Sequence, residues 1–390
     1  MNATSNARQR AVSAYRRVGF LRPLANLALG SEKYPPLTGV RAVGASIVFF
    51  DHFPVWPDAH LTLNVMAFFY ALSGFLIVRI YYEKAQLRFN WLTKYFVNRF
   101  ARIYPVYFLL LTVAVGLQRE WHPGVLLKNY TLTHGLFYGT KFIIQPSWSL
   151  TVEECFYGLA PLFMLLARRW NFLVPFALGC CMLAVALAIS TLGHSFLGSP
   201  LFVFSTTFFG HFVEFFAGVY LALAVIRLEK IAPINTTGTW RTAGGLVGVT
   251  LLVFAMVLVY RQTPLNLRAI VLINNFLLPV PVALLYWGLL RENTMVARFL
   301  ASRTMGLLGR SSYSFYVLHA LVIDYASVPL LAALSLNRAF CVMTTLVVTW
   351  LLSVLLFLYY EEPINLRIRR RFRSKDRSVG LQATLFPLNT

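Results

Sequence analysis

Charge is scarce in this chain, and negative charge is scarcest. Of 390 residues only 13% are charged, and 14 Asp and Glu stand against 35 Lys and Arg. Soluble domains carry about 25% charged residues, so an ordinary water-soluble domain is excluded. Cysteine is equally sparse. Cys155, Cys180, Cys181 and Cys341 all lie in apolar runs and show no metal-ligand spacing. They read as core thiols, and no metal is expected. No internal repeat or low-complexity stretch is present, which argues against a solenoid. The first thirty residues lack an apolar core followed by a small-residue cleavage site, so no signal peptide is expected.

What is abundant is apolar. Hydrophobic residues make up 58% of the chain, with 33 Phe and 19 Tyr, and the mean hydropathy is +0.64. A bilayer crossing needs about 20 such residues. Ten runs qualify, at roughly 38–57, 61–82, 96–117, 147–167, 171–192, 202–226, 242–260, 269–290, 312–334 and 339–360. The expected fold is thus all-α, a polytopic membrane bundle of about ten helices. Residues 1–35 read as an N-terminal arm, 36–363 as the membrane domain and 364–390 as a basic tail. The stretch 118–146 is too polar to span and reads as an interfacial or re-entrant piece. The arm segment from Val18 to Leu29 is apolar enough to lie on the membrane.

The net charge of +21 does not point to nucleic acid, because the basic residues fall in clusters between apolar runs. With ten spans, the arm, the 83–94 and 227–241 loops, Arg168-Arg169, Arg291 to Arg310 and the tail all fall on one side. This is the positive-inside pattern, and it places both termini in the cytoplasm. The expected partners are membrane lipids, and the expected location is a cytoplasmic (inner) membrane.

Polar groups within apolar runs are costly and tend to carry function. The set here is Arg41, Asp51 and His52 in the first run, Ser73 in the second, and Arg99 and Arg102 at the start of the third. Trp148, Glu153 and Glu154 follow in the fourth, and Glu214 in the sixth. At 1.5 Å per residue, His52 lies about 16 Å beyond Arg41 along its helix. Counting from opposite ends puts His52 and the two glutamates at similar depth in the outer half. Arg99 and Arg102, three apart, share a helix face near the inner surface. Histidine is suited to general-base work and a carboxylate to orienting it. Paired guanidinium groups are suited to phosphates. Each residue also has a structural reading: a cap for His52 and Asp51, a helix bridge for Glu214, an ion pair for one glutamate, membrane anchors for the arginines. Adjacent helix residues point about 100° apart, so Glu153 and Glu154 cannot face one point. His319 and Asp324 match a His-x4-Asp dyad, but five residues of α-helix set them about 140° apart and they are not expected to meet.

These runs resemble the acyltransferase-3 family of integral-membrane O-acyltransferases. The resemblance rests on Leu37-Thr-Gly-Val-Arg-Ala-Val-Gly44 followed by His52, and on Phe68-Phe-Tyr-Ala-Leu-Ser-Gly-Phe-Leu-Ile77. It also rests on Arg99-Phe-Ala-Arg-Ile-Tyr-Pro-Val-Tyr107 and Trp148-Ser-Leu-Thr-Val-Glu-Glu-Cys-Phe-Tyr157. Leu308-Gly-Arg-Ser-Ser-Tyr-Ser-Phe-Tyr-Val-Leu-His319 and Tyr360-Glu-Glu-Pro-Ile364 complete it. Six motifs in order cover about residues 36–372. Cys155 departs from the pattern, which often has a polar or bulky residue there.

The resemblance implies acyl transfer from cytoplasmic acyl-CoA to a hydroxyl of a carbohydrate or glycosylated acceptor. It implies His52 as catalytic histidine, with Glu153 and Glu154 in its motif and Arg41, Arg99 and Arg102 on the donor. Acyl-CoA would be a co-substrate, with no permanently bound cofactor. Some relatives carry a fused extracellular esterase-like domain. This chain ends soon after the last span and is expected to finish transfer alone or to hand the acyl group on. The other reading is a transporter or acyl-group translocator. Such proteins often show paired, interrupted spans in two halves, and that symmetry is absent here.

Overall fold

A computed structural model describes residues 33–53, 61–192, 196–229, 238–262, 267–329 and 337–372. The expected N-terminal arm up to residue 32 and the tail beyond 372 lie outside the described residues. Among the described residues every regular element is a helix and there is no strand. The membrane helices are α1 (Pro35–His52), α2 (Leu61–Tyr81), α3 (Phe89–Gln118), α5 (Trp148–Arg169), α6 (Leu173–Thr191) and α8 (Phe208–Glu229). They continue as α9 (Trp240–Gln262), α10 (Leu267–Leu272) leading into α11 (Pro279–Arg291), α13 (Arg303–Val322) and α14 (Arg338–Leu356). Short helices α4 (Pro123–Tyr130), α7 (Pro200–Thr206) and α12 (Met295–Leu300) connect them. The stretch 118–146 holds only α4 and tight turns, as its polarity predicts.

Eight helices among the described residues are long and apolar enough to cross a membrane. The protein is a multi-pass membrane protein with an all-α bundle fold. The first and ninth expected spans are α1 and α13, which are more polar than the eight. They lie along each other inside the bundle. Gly309 makes this possible, since a Cβ there would sit 2.0 Å from the Thr38 carbonyl oxygen. Helices α2 and α8 form the other close pair: a Cβ on Gly218 would lie 1.8 Å from the Ala71 carbonyl. In lipid there is no hydrophobic drive between helices, so such backbone approach and the dispersion it allows hold them together.

Capping groups mark several starts. Ser302 accepts from the Met305 N–H at the head of α13, and Asn337 from Ala339 and Phe340 at the head of α14. At α9 the cap comes from another segment. The Glu292 carboxylate accepts from the backbone N–H groups of Arg241 and Thr242 at 3.0 and 2.8 Å. Burial pushes this carboxyl up, but those N–H groups outweigh burial and hold it below the ordinary carboxylate range.

Three helices contain a five-residue π-helical turn: Ile273–Leu277 between α10 and α11, Ile323–Ser327 after α13, and Phe357–Glu361 after α14. The helix that begins as α14 runs on to Phe372. It therefore passes the expected start of the tail at residue 364.

Candidate active site

Five helices enclose one polar cavity with about 700 Å³ of empty space, part of it open. Helix α1 contributes Arg41; α2 contributes Phe69, Tyr70 and Ser73; α3 contributes Arg99 and Arg102. From α5 come Ser149, Glu153 and Tyr157, and from α13 Ser312, Tyr313 and Tyr316. The spacing explains the grouping. Residues three or four apart share a helix face, and each helix turns its polar stripe inward.

Three guanidinium groups face this cavity against one lining carboxylate, Glu153. Glu153 accepts from Ser73 Oγ at 2.7 Å and from the Tyr157 hydroxyl at 3.2 Å. The two neighbouring arginines differ in kind. Arg102 is ion-paired to Glu361, a buried residue that also accepts from Ser314 Oγ at 2.6 Å. Arg99 instead lies against the faces of Tyr81 and Tyr157, at 5.7 and 5.5 Å from the ring centroids. Its Nε is buried without a hydrogen-bond partner, as is the Tyr70 hydroxyl. Unsatisfied donors on the wall of a cationic cavity are what an anionic or phosphorylated ligand would satisfy.

His52 does not line this cavity. The expected centre, with His52 beside the glutamates, is not what the structure builds. Glu153 keeps company with the arginines, because α1 carries Arg41 toward them and His52 three turns further on. At His52, Nδ1 lies 2.9 Å from the Val48 carbonyl oxygen. Its ring packs edge-on against His319 with centroids 5.0 Å apart. Tyr316, a wall residue of the cavity, lies 5.8 Å from the His319 ring. Asp324 is within electrostatic reach of His52. It opens onto a second hollow with Gln118, Thr140, Lys141 and Gln145. His319 and Asp324 thus both approach His52, although no contact joins them to each other. That the two do not meet agrees with the helical spacing, and a π-helical turn begins between them at Ile323.

The remaining candidates are dispersed. Glu154 turns away from the cavity, with Oε1 buried and unpartnered. Trp148 packs on His211 at 5.8 Å. Glu214 is fully buried in a separate network: it meets His211 Nδ1 at 3.0 Å and accepts from Asn274 Nδ2 at 3.1 Å. Asn275 extends this network to the Phe204 and Gly210 carbonyls. Those contacts bridge α8 to the first π-helical turn, which is the structural reading of Glu214. Asp51 is half-buried beside His52. Glu361 was missed by the sequence reasoning. It stands one residue past the apolar run 339–360, inside the Tyr360-Glu-Glu-Pro-Ile364 motif, so the search for polar groups within apolar runs did not pick it out.

A family model described as an acyltransferase domain matches residues 36–358. The chain belongs to the acyltransferase-3 family. It is similar to the peptidoglycan O-acetyltransferase OatA of Listeria monocytogenes, 28% identical over 36% of this chain and 26% of that protein. It is also similar to the acyltransferase MdmB of Streptomyces mycarofaciens, 26% identical over 75% of this chain and 80% of that one. The chain thus covers about a quarter of the Listeria relative and four fifths of the Streptomyces one. No solved structure matches.

Proposed function

We propose that this acyltransferase-family protein is a membrane O-acyltransferase using acyl-CoA from the cytoplasm and a carbohydrate or glycosylated acceptor. His52 acts as general base. The supporting observation is the cavity itself: three arginines converge where a lipid-embedded protein would otherwise avoid them, and of the three only Arg102 is seen in an ion pair. Phosphates of coenzyme A supply the missing negative charge, and only the thioester arm travels on toward His52. The second hollow, with amide, hydroxyl and charged groups around Asp324, suits the hydroxyls of a sugar. Donor and acceptor then approach the histidine from opposite sides. The acceptor oxygen attacks the thioester carbonyl, its proton passes to His52, the C–S bond breaks, and the sulfur leaves as the thiol after taking that proton.

Purified protein in lipid nanodiscs, incubated with acetyl-CoA and a soluble chito-oligosaccharide, tests this. Formation of an ester by the native chain, lost in His52→Ala while coenzyme A still binds, is the expected result. His52→Ala with native turnover would remove the base assignment. Native protein that fails to bind coenzyme A would remove the donor.

A further inference from the structure

Two helices overrun the membrane at the same end. Helix α3 has 30 residues, about 45 Å at 1.5 Å per residue. The helix from Arg338 to Phe372 has 35, about 50 Å. The hydrocarbon core is about 30 Å thick, so each projects beyond it. Their polar ends show where. The first turns of α3 carry Asn90, Thr93, Lys94 and Asn98, and the last turns of the other helix carry Arg367, Arg369, Arg370 and Arg371. Between these ends lies a hollow with about 500 Å³ of empty space, part of it open. Phe89 and Phe372 line it as exposed aromatic rings. Asn90 and Asn98 supply amide donors and acceptors, and Lys94 and Arg369 supply positive charge. Among the described residues, none that lines it is acidic. Arg369 links this hollow to the larger cavity. It lies within electrostatic reach of Arg99 and Arg102, with Glu362 also in range. Its Nε is buried without a hydrogen-bond partner, as is that of Arg99. Like charges gathered in one place repel one another unless an anion comes between them.

We propose that this hollow is the nucleotide subsite of the donor, where Arg369 binds the 3′-phosphate of coenzyme A and the adenine lies against Phe89 and Phe372. The inference rests on acyl-CoA being the donor and deepens that reading. The chemistry of the lining matches the adenosine end group by group. A purine offers a flat π-face to aromatic rings. Its ring nitrogens and amino group suit amide side chains such as those of Asn90 and Asn98. The phosphate takes the forked donors of a guanidinium. The order of groups matches as well. In coenzyme A the thioester arm leads to a diphosphate, and the diphosphate to the phosphorylated adenosine. In the protein the cavity leads to Arg99, and Arg369 stands beyond it at the projecting helix ends. The diphosphate then rests at Arg99 and the 3′-phosphate at Arg369. The charged end of the donor stays outside the hydrocarbon, where its burial would be costly. The ordinary role of a basic residue at a helix end is an anchor on lipid phosphates, and the test separates the two.

Binding of coenzyme A and of 3′-dephospho-coenzyme A, measured by calorimetry in phosphatidylcholine nanodiscs, reads the subsite. The two ligands differ only in the phosphate at issue. The native chain is expected to bind coenzyme A about 10-fold tighter or more, as hydrogen bonds to a charged group imply. In Arg369→Gln that preference is expected to shrink to about twofold, through weaker coenzyme A binding with the dephospho form unchanged. Arg369→Lys keeps the charge but not the fork, and falls between the two. Arg99→Ala weakens both ligands alike and keeps the preference. Phe372→Ala also weakens both; unchanged affinity there would take the adenine out of the hollow. Size-exclusion profiles report folding, and if the glutamine variant does not fold, the lysine variant decides on the same scale. The full native preference in a folded Arg369 variant overturns the proposal. If that variant also loses the thermal stabilisation that phosphatidylglycerol gives the native chain, the residue is a lipid anchor instead. A native chain that binds both ligands equally overturns the proposal and leaves acyl-CoA as the donor. A native chain that binds neither removes the donor, and the subsite with it.

Discussion

At the scale of single residues, the two arginines of the Arg-x-x-Arg pair differ most in their expected behaviour. Arg102 neutralises the buried Glu361. Removing it leaves a carboxylate stranded away from water, at a cost of about 3–5 kcal/mol. Arg102→Ala should therefore lower the melting temperature in detergent, and Glu361→Gln in the same chain should restore much of it. Arg99 has aromatic faces rather than a carboxylate beside it. Arg99→Ala should leave stability within about 1 kcal/mol yet weaken coenzyme A binding, and Arg99→Lys should weaken it too, since the forked donors are lost. Calorimetry on the two variants separates the roles, and equal effects on both measurements would merge them. A second residue-scale effect concerns pH. His134, fully buried between Ser147 and the Lys128 carbonyl, is pushed by burial from 6.5 down to about 4. Between those pH values the unfolded chain binds a proton that the folded chain refuses. Stability is thus expected to fall by about 3 kcal/mol as pH drops from about 6.5 to about 4, and no further below. Thermal melts at pH 7.5 and 5 should differ less in His134→Gln than in the native chain.

At the scale of elements, close helix approach and helix irregularity carry most of the design. Gly218 stands where α8 crosses α2, with no room for a methyl group. Gly218→Ala should push the two helices apart at a cost of about 1–3 kcal/mol, read as a lower melting temperature. Because α2 also holds Ser73 and Tyr70 at the cavity, coenzyme A affinity should fall with it. Gly158, which has open space around it, is the control: Gly158→Ala should change neither. The π-helical turns do a different job. The first turn carries Asn274 and Asn275, which meet Glu214 and its helix. The second carries Asp324 and the third Glu361. An extra residue in a turn re-aims the side chains that follow, and such bulges tend to collect at functional sites.

At the scale of the whole molecule, the mechanism depends on which face of the membrane each cavity meets. The proposed orientation puts both ends and the loop at Lys84 in the cytoplasm, and α4 with its flanking turns outside. Lys84 and Trp121 are both exposed. Single cysteines placed at each, with the four native cysteines replaced, would report the topology through a membrane-impermeant maleimide on intact cells. Labelling at position 121 alone is expected. Labelling at 84 alone would set the arginine cavity toward a compartment without coenzyme A, and the cross-membrane reaction would have to be abandoned.

Composition and periodicity alone determined the class of this protein. Thirteen per cent charge and long apolar runs leave few folds other than a helical membrane bundle, because lipid satisfies no backbone polar group and helices satisfy their own. Polar residues inside or at the edge of apolar runs marked Arg41, Ser73, Arg99, Arg102 and Glu153 one by one; that a single cavity holds these five, with Glu153 beside the arginines rather than beside His52, came from the fold. What could not be read from a linear chain was partnership. Depth along a helix gives one coordinate only; rotation and neighbour choice supply the other two. Those placed Glu153 with the arginines and gave His52 a second imidazole. They also paired Arg102 with Glu361, 259 positions away. The π-helical turn at Ile323 that carries Asp324 was equally hidden. No local propensity marks such a turn, because it forms where tertiary packing holds one extra residue, and that packing exists only in the folded bundle.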